Sequence, residues 1–110
     1  MVPLVLQGMQ NIKLVAIPEE YALHYNYPNP FNPITTMLYD LPETGHTRLI
    51  IYDLLGREVH VLKDKIMNPG YYSTQWNGRN SQGKMVGAGV YLYQIQSNGF
   101  IQTRKMLLLK

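Results

Sequence analysis

Catalysis and metal binding need a few residue types at particular spacings, and the chain offers few of them. Histidine occurs at His24, His46 and His60. No two have the spacing of a metal site, and each falls in a connecting stretch, a turn or a short strand. An exposed, unligated imidazole is the expectation for all three. The carboxylates Asp40, Glu43, Asp53, Glu58 and Asp64 lie at turns or strand ends. Two of them facing each other would make an acid–base pair, but nothing in their spacing selects which two. Serine occurs at Ser73, Ser81 and Ser97, none of them inside Gly-x-Ser-x-Gly. Cysteine is absent, which removes disulfides, thiolate metal sites and a thiol nucleophile. Gly87-Ala88-Gly89 opens an alternating strand pattern, whereas a glycine loop for a dinucleotide must open a helix. The expectation is a protein that is not an enzyme, with no catalytic residue, no metal and no cofactor.

Charge points elsewhere. The net charge of +3 is modest, but Asp64 is the last acid, and Lys65, Arg79, Lys84, Arg104, Lys105 and Lys110 follow it unopposed. Such asymmetry suits an anionic partner near the C-terminal end or a biased solvated surface. Nucleic acid is not the expected partner. Stacking on bases needs aromatics outside the fold, and Tyr39, Tyr91 and Tyr93 alternate in phase with apolar residues. Tyr52, Tyr71 and Trp76 leave an exposed carbohydrate-binding face open as an alternative.

The elements behind these residues are strands. Nine tyrosines and nine glycines in 110 residues favour strands and tight turns. Thr35–Leu41 alternates with Met37, Tyr39 and Leu41 on one face. Thr47–Tyr52, Glu58–Leu62, Tyr71–Trp76 and Val90–Gln96 follow, and the last strand runs from Phe100 to the end. The breaks carry turn chemistry at Pro42–Gly45, Asp53–Arg57 with Gly56 at positive φ, Asn68–Gly70, Asn77–Gly83 and Ser97–Gly99. No segment sustains a helical period. About seven short strands at even spacing predict an all-β, Ig-like antiparallel β-sandwich.

Two segments stand apart. Residues 1–17 hold apolar runs at Val2–Leu6 and Ile12–Ile17, expected as a hairpin or as the end of something upstream. Without a basic start they make a poor signal peptide. Residues 1–26 are read as a tail or linker and 27–110 as the folded module. Between them YPNPFNP (Tyr27–Pro33) should form a stiff, ordered lead-in, because each proline fixes its own φ and restricts its predecessor. Phe31 is its apolar anchor.

The chain ends on Lys105-Met106-Leu107-Leu108-Leu109-Lys110. Met106 and Leu108 suit the core, so Leu107 and Leu109 point outward. Exposed apolar residues on a sheet edge invite pairing. This predicts either a recognition element or a central strand covered on both sides.

In order, YPNPFNP, YDLP (39–42), IYDLLGREV (51–59), WNG (76–78), GVYLY (89–93) and TRKM (103–106) resemble the C-terminal sorting domain of proteins exported by the type IX secretion system. They are similar also to the Ig-like domain of the flagellar hook-capping protein. The resemblance covers about residues 25–110, and the order and terminal placement of the motifs make it specific. It implies a sorting module at the end of a larger cargo, secreted or displayed on the cell surface after transit through the periplasm. The implied partners are the outer-membrane translocon, a sortase-like peptidase that cuts before the domain, and the fused upstream cargo. The module itself is expected to be a monomer in isolation. The family's recognition determinants lie in its Gly-x-Tyr strand and its last strand. Here they fall on Gly89, Tyr91 and Lys105, and on the tail with Leu107, Leu109 and Lys110. Family cargos carry a long chain ahead of the domain, while only a short stretch precedes it here, so the chain is expected to be a fragment. A sugar- or surface-binding sandwich and a flagellar-cap-like assembly domain remain the alternatives.

Overall fold

The computed structural model describes residues 4–7 and 13–109. Nine strands follow in order: β1 (Leu4–Gln7), β2 (Lys13–Ala16), β3 (Ala22–Leu23), β4 (Thr35–Leu41), β5 (Gly45–Tyr52), β6 (Glu58–Met67), β7 (Gly70–Trp76), β8 (Gly89–Ser97) and β9 (Phe100–Leu108). β1 and β2 pair antiparallel as a separate hairpin. The other seven form a three-stranded sheet, β3-β4-β7, and a four-stranded sheet, β6-β5-β8-β9. Every pairing between them is antiparallel, so the expected sandwich of about seven strands is found.

Alternation builds the core. β4 buries Met37, Tyr39 and Leu41 completely, and β5 buries Leu49 and Ile51. Tyr93 and Ile95 of β8, and Met106 and Leu108 of β9, close the opposite wall. Trp76 is 1% exposed. Its ring meets Tyr91 edge-on at 5.4 Å and Phe31 at 5.8 Å. Both geometries lie within the range favoured by aromatic quadrupoles. Tyr39 stacks instead on Tyr72. Burial raises the Tyr39 and Tyr93 hydroxyls above the ordinary value, and each has a partner: Thr74 Oγ1 at 2.8 Å for Tyr39 and the His24 carbonyl at 2.7 Å for Tyr93.

Two loops share one geometry. The Asp53 carboxylate accepts the N–H groups of Leu55 and Arg57, and Gly56 N–H bonds the Asp53 carbonyl. The Asn80 amide oxygen accepts Gln82 and Lys84 N–H in the same way, and Gly83 N–H bonds the Asn80 carbonyl. Gly56 and Gly83 hold φ of 82° and 81°, values that side chains with a Cβ resist. Gly56 is thus the positive-φ residue that its turn was expected to need.

The structure differs from the sequence expectations in three places. Tyr21–Asn26, read as linker, packs on the sandwich. Ala22 and Leu23 pair with Asp40 and Tyr39, Leu23 is 1% exposed, and Asn26 is buried. The backbone of Leu23 is tied from across the sandwich, its carbonyl accepting Arg104 Nε at 2.6 Å. β6 runs to Met67 rather than stopping at Leu62, because its polar stretch Lys63–Lys65 lies on a sheet edge where charge is welcome. β9 is the terminal strand of its sheet, so it is not the doubly covered central strand.

The lead-in is ordered as expected. Its three X–Pro bonds are cis. Phe31 is 1% exposed and bridges Leu108 in parallel. Asn26 Nδ2 holds Thr35 Oγ1 at 3.0 Å.

Candidate functional site

β8 and β9 bring Gly89, Tyr91, Lys105 and Leu107 of the expected recognition residues into one ladder. Gly89 lies opposite Leu108, Val90 opposite Leu107, and Tyr91 opposite Met106. The type I′-like turn that sets this register is Asn98-Gly99, with φ of 49° and 83°, the dipeptide whose conformation matches strand twist. Asn98 Nδ2 braces it against the Thr44 carbonyl.

The named residues do not share one face. Gly89 opens β8 with φ of 145°, so its backbone alone accounts for a glycine there. Tyr91 turns inward to Trp76 and donates its hydroxyl to the Gly87 carbonyl at 2.6 Å. Lys105 is exposed on the outer side of β9. Leu107 is half-buried, and Leu109 is 56% exposed. Lys110 lies outside the described residues. The outward pair Leu107 and Leu109 and the inward pair Met106 and Leu108 therefore sort as alternation requires.

Beside β9 runs a groove of about 540 Å³, lined by Tyr25, Val90, Leu92, Arg104, Lys105 and Leu107 among others. Its floor is the outer face of the β8–β9 ladder, and the lead-in forms its lip. Arg104 stands over the Tyr25 ring at 4.0 Å, a cation–π contact. Asn29 Oδ1 accepts the Leu107 N–H at 3.0 Å. Sequence reasoning did not single out Tyr25 or Arg104 for this role. Their contact joins residues 79 positions apart, and no local pattern encodes a pairing at that separation.

Among the described residues, the cations after Asp64 do not gather in one patch. Lys65 is on β6 and Lys105 on β9, at opposite edges of the four-stranded sheet, while Arg79 and Lys84 belong to the loop before β8. Several carboxylates are tied up in ion pairs. Asp53 holds Arg57, Asp40 contacts His24, and Glu58 and Asp64 share Arg48, with Asp64 also contacting His46. Among the described residues, no group of three or more His, Asp or Glu side chains converges on one point.

Aromatic exposure bears on the carbohydrate alternative. Phe31, Tyr39, Trp76 and Tyr93 are buried. Only Tyr25, Tyr27 and Tyr71 are largely exposed. Tyr25 is occupied by Arg104, and Tyr71 belongs to β7 in the other sheet.

Comparison with known proteins agrees with this architecture. The fold is similar to that of dimeric latent PorU from Porphyromonas gingivalis, with a TM-score of 0.63 at 19% identity over 89% of this chain. It is similar also to PorZ, described as an essential bacterial surface component of the type-IX secretion system of Porphyromonas gingivalis, with a TM-score of 0.56 at 21% identity over 78% of the chain. The matched part spans 11% of each of those proteins. No curated protein matches the sequence. A family model described as the FlgD Ig-like domain matches residues 35–99. That span begins at the first residue of β4 and takes in the last turn before β9, more than half of the sequence, and the chain belongs to the FlgD Ig-like domain family.

Proposed function

We propose that the chain is a non-enzymatic sorting module that directs an attached upstream cargo through the outer membrane by the type IX secretion system. The observation that carries this reading is the placement of the last strand. β9 lies at the sheet edge, with Met106 and Leu108 holding it in the core while Lys105 and Leu109 stay accessible. A terminal strand anchored on one face and open on the other can be read by a translocon without unfolding the domain. The ordered motifs support the same reading, as does the fold shared with a described type IX surface component. Cleavage from the cargo falls before Tyr21 on this account, because the backbone from Ala22 to Asn26 is engaged in the sandwich. The cargo then reaches the medium or the cell surface.

The test is a fusion. A signal peptide and a reporter are placed ahead of the chain in a bacterium with a type IX system. The expected result is reporter outside the cell, lost when the translocon is inactivated. A reporter that stays in the periplasm of the intact strain overturns the reading.

A further inference from the structure

We propose that the open edge of β9, from Ile101 to Lys105, is a strand-addition site for an extended acidic segment of another protein. Parity along the strand decides which main-chain groups are free. Phe31 N–H bonds the Leu107 carbonyl, and Leu109 N–H bonds the Phe31 carbonyl. The outward-facing backbone groups of β9 are therefore those of odd-numbered residues, since they alternate along a strand. The tight Ser97–Phe100 turn fixes the same phase. Moving back along β9, Lys105, Thr103 and Ile101 turn their N–H and C=O groups away from β8. All three residues are exposed. Among the described residues, the lead-in pairs with this strand only at Phe31–Leu108. The lead-in thus caps one end of the edge, and β3 reaches the rest only through the side chains of Gln102 and Arg104, so the outward main-chain groups of Ile101, Thr103 and Lys105 stay available as a template.

The two edges of this sheet differ. β6 pairs with β5 through two register shifts and carries Lys63, Asp64 and Lys65 in succession, devices that blunt an edge. β9 pairs with β8 over nine residues without a shift. It is a regular edge beside an apolar groove floored by Val90 and Leu92. Main-chain bonds to such an edge supply affinity, and alternate side chains supply selectivity.

Charge selects the occupant. The groove is lined by Arg104 and Lys105 and by no acid. A glutamate or aspartate opposite Lys105 makes a favourable cross-strand pair. A second copy of this edge cannot supply one, because β9 holds no acid, and the β6 edge of a second copy is broken by two register shifts and commits Glu58 and Asp64 to Arg48 and His46. The occupant is therefore a different chain, extended, with apolar residues alternating with carboxylates.

The probe is an acetylated, amidated heptapeptide alternating valine with glutamate, and its counterpart alternating valine with lysine. The chain is titrated with each by calorimetry, with amide exchange read at Thr103 and Lys105. The glutamate peptide is expected to bind and to protect both amides, and the lysine peptide to bind about tenfold more weakly. Thr103→Pro removes an outward N–H that no ladder bond uses, a position where proline is tolerated, and should abolish binding at an unchanged melting temperature. Lys105→Glu leaves the backbone intact and should reverse the preference between peptides. Failure of the parent to bind either peptide overturns the proposal. So does equal binding of the two, or undiminished binding by Thr103→Pro. Self-association of the parent that Thr103→Pro abolishes also overturns it, in favour of a second copy as occupant. This proposal and the sorting reading fail separately. An exported chain that binds neither peptide overturns only the strand-addition site, and a peptide-binding chain that is never exported overturns only the sorting role.

Discussion

Asp53 and Asn80 do the same work with different chemistry. Each side-chain oxygen gathers two backbone N–H groups and closes a five-residue turn on a positive-φ glycine. Only the carboxylate titrates. The Arg57 N–H is the main cause that holds Asp53 below its ordinary value of 3.8, and the Arg57 guanidinium and Leu55 N–H add to it against desolvation. A depressed folded value means that the contribution is complete above the ordinary carboxylate range and is lost as pH falls through the folded value. Asp53→Asn should keep the turn, with Asn80 as its template, and remove this contribution from the acid limb of a pH-dependent melting curve. Asp53→Ala should lower the melting temperature at neutral pH. An acid limb unchanged by Asp53→Asn would contradict the assignment. Trp76 makes a larger contribution. Its ring is buried between Phe31 and Tyr91, and its Nε1 donates to the Arg79 carbonyl at 2.8 Å. Trp76→Ala should cost about 3–5 kcal/mol in chemical denaturation, and a midpoint close to the parent's would place the ring outside the core. The inward run of Met37, Tyr39 and Leu41 was legible in the sequence because alternation reports burial directly. The Asp53–Asn80 likeness was legible too, since both turns read Asx-x-x-Gly followed by a cation. It passes unnoticed when each turn is judged alone.

At the scale of elements, the two-residue strand β3 shows where local pattern stops. Tyr21–Asn26 is short and polar-aromatic, and nothing in it alternates. It becomes part of the sandwich through distant partners. Leu23 fills the core, Tyr93 donates to the His24 carbonyl, and Arg104 donates to the Leu23 carbonyl. Limited proteolysis should therefore spare the bonds from Ala22 to Asn26, because opening them exposes buried surface and several satisfied carbonyls. Arg104→Ala should speed cutting there, by freeing one carbonyl and the Tyr25 ring. Rapid cleavage of the parent inside this segment, with the rest still folded, would contradict the docking of β3. β6 runs past its expected end at Leu62 for a related reason. Its second half is charged, which reads as loop when the sheet position is unknown and as a guarded edge when it is known.

For the whole molecule, the sandwich separates support from display. Tyr91 and the buried residues of β8 and β9 hold the ladder in the core, while Lys105 lies on the open part of the β9 edge and Leu107 and Leu109, whose backbone is capped by the lead-in, turn their side chains outward. The Ig-like architecture follows from strand count, turn chemistry and aromatic alternation. The identity of the displayed edge depends on sheet order, which sequence leaves undetermined between a central and a terminal β9. On the proposed sorting role, this edge and tail carry the signal. The most direct test is secretion of a reporter fused ahead of the chain, with Leu107→Ser, Leu109→Ser and Lys110→Ala combined. These substitutions spare the inward Met106 and Leu108, and the purified variant's melting curve checks that the sandwich persists. The expected result is a folded variant whose reporter accumulates in the periplasm. A folded variant exported at the parent's level would contradict that role and make the last strand a purely structural element.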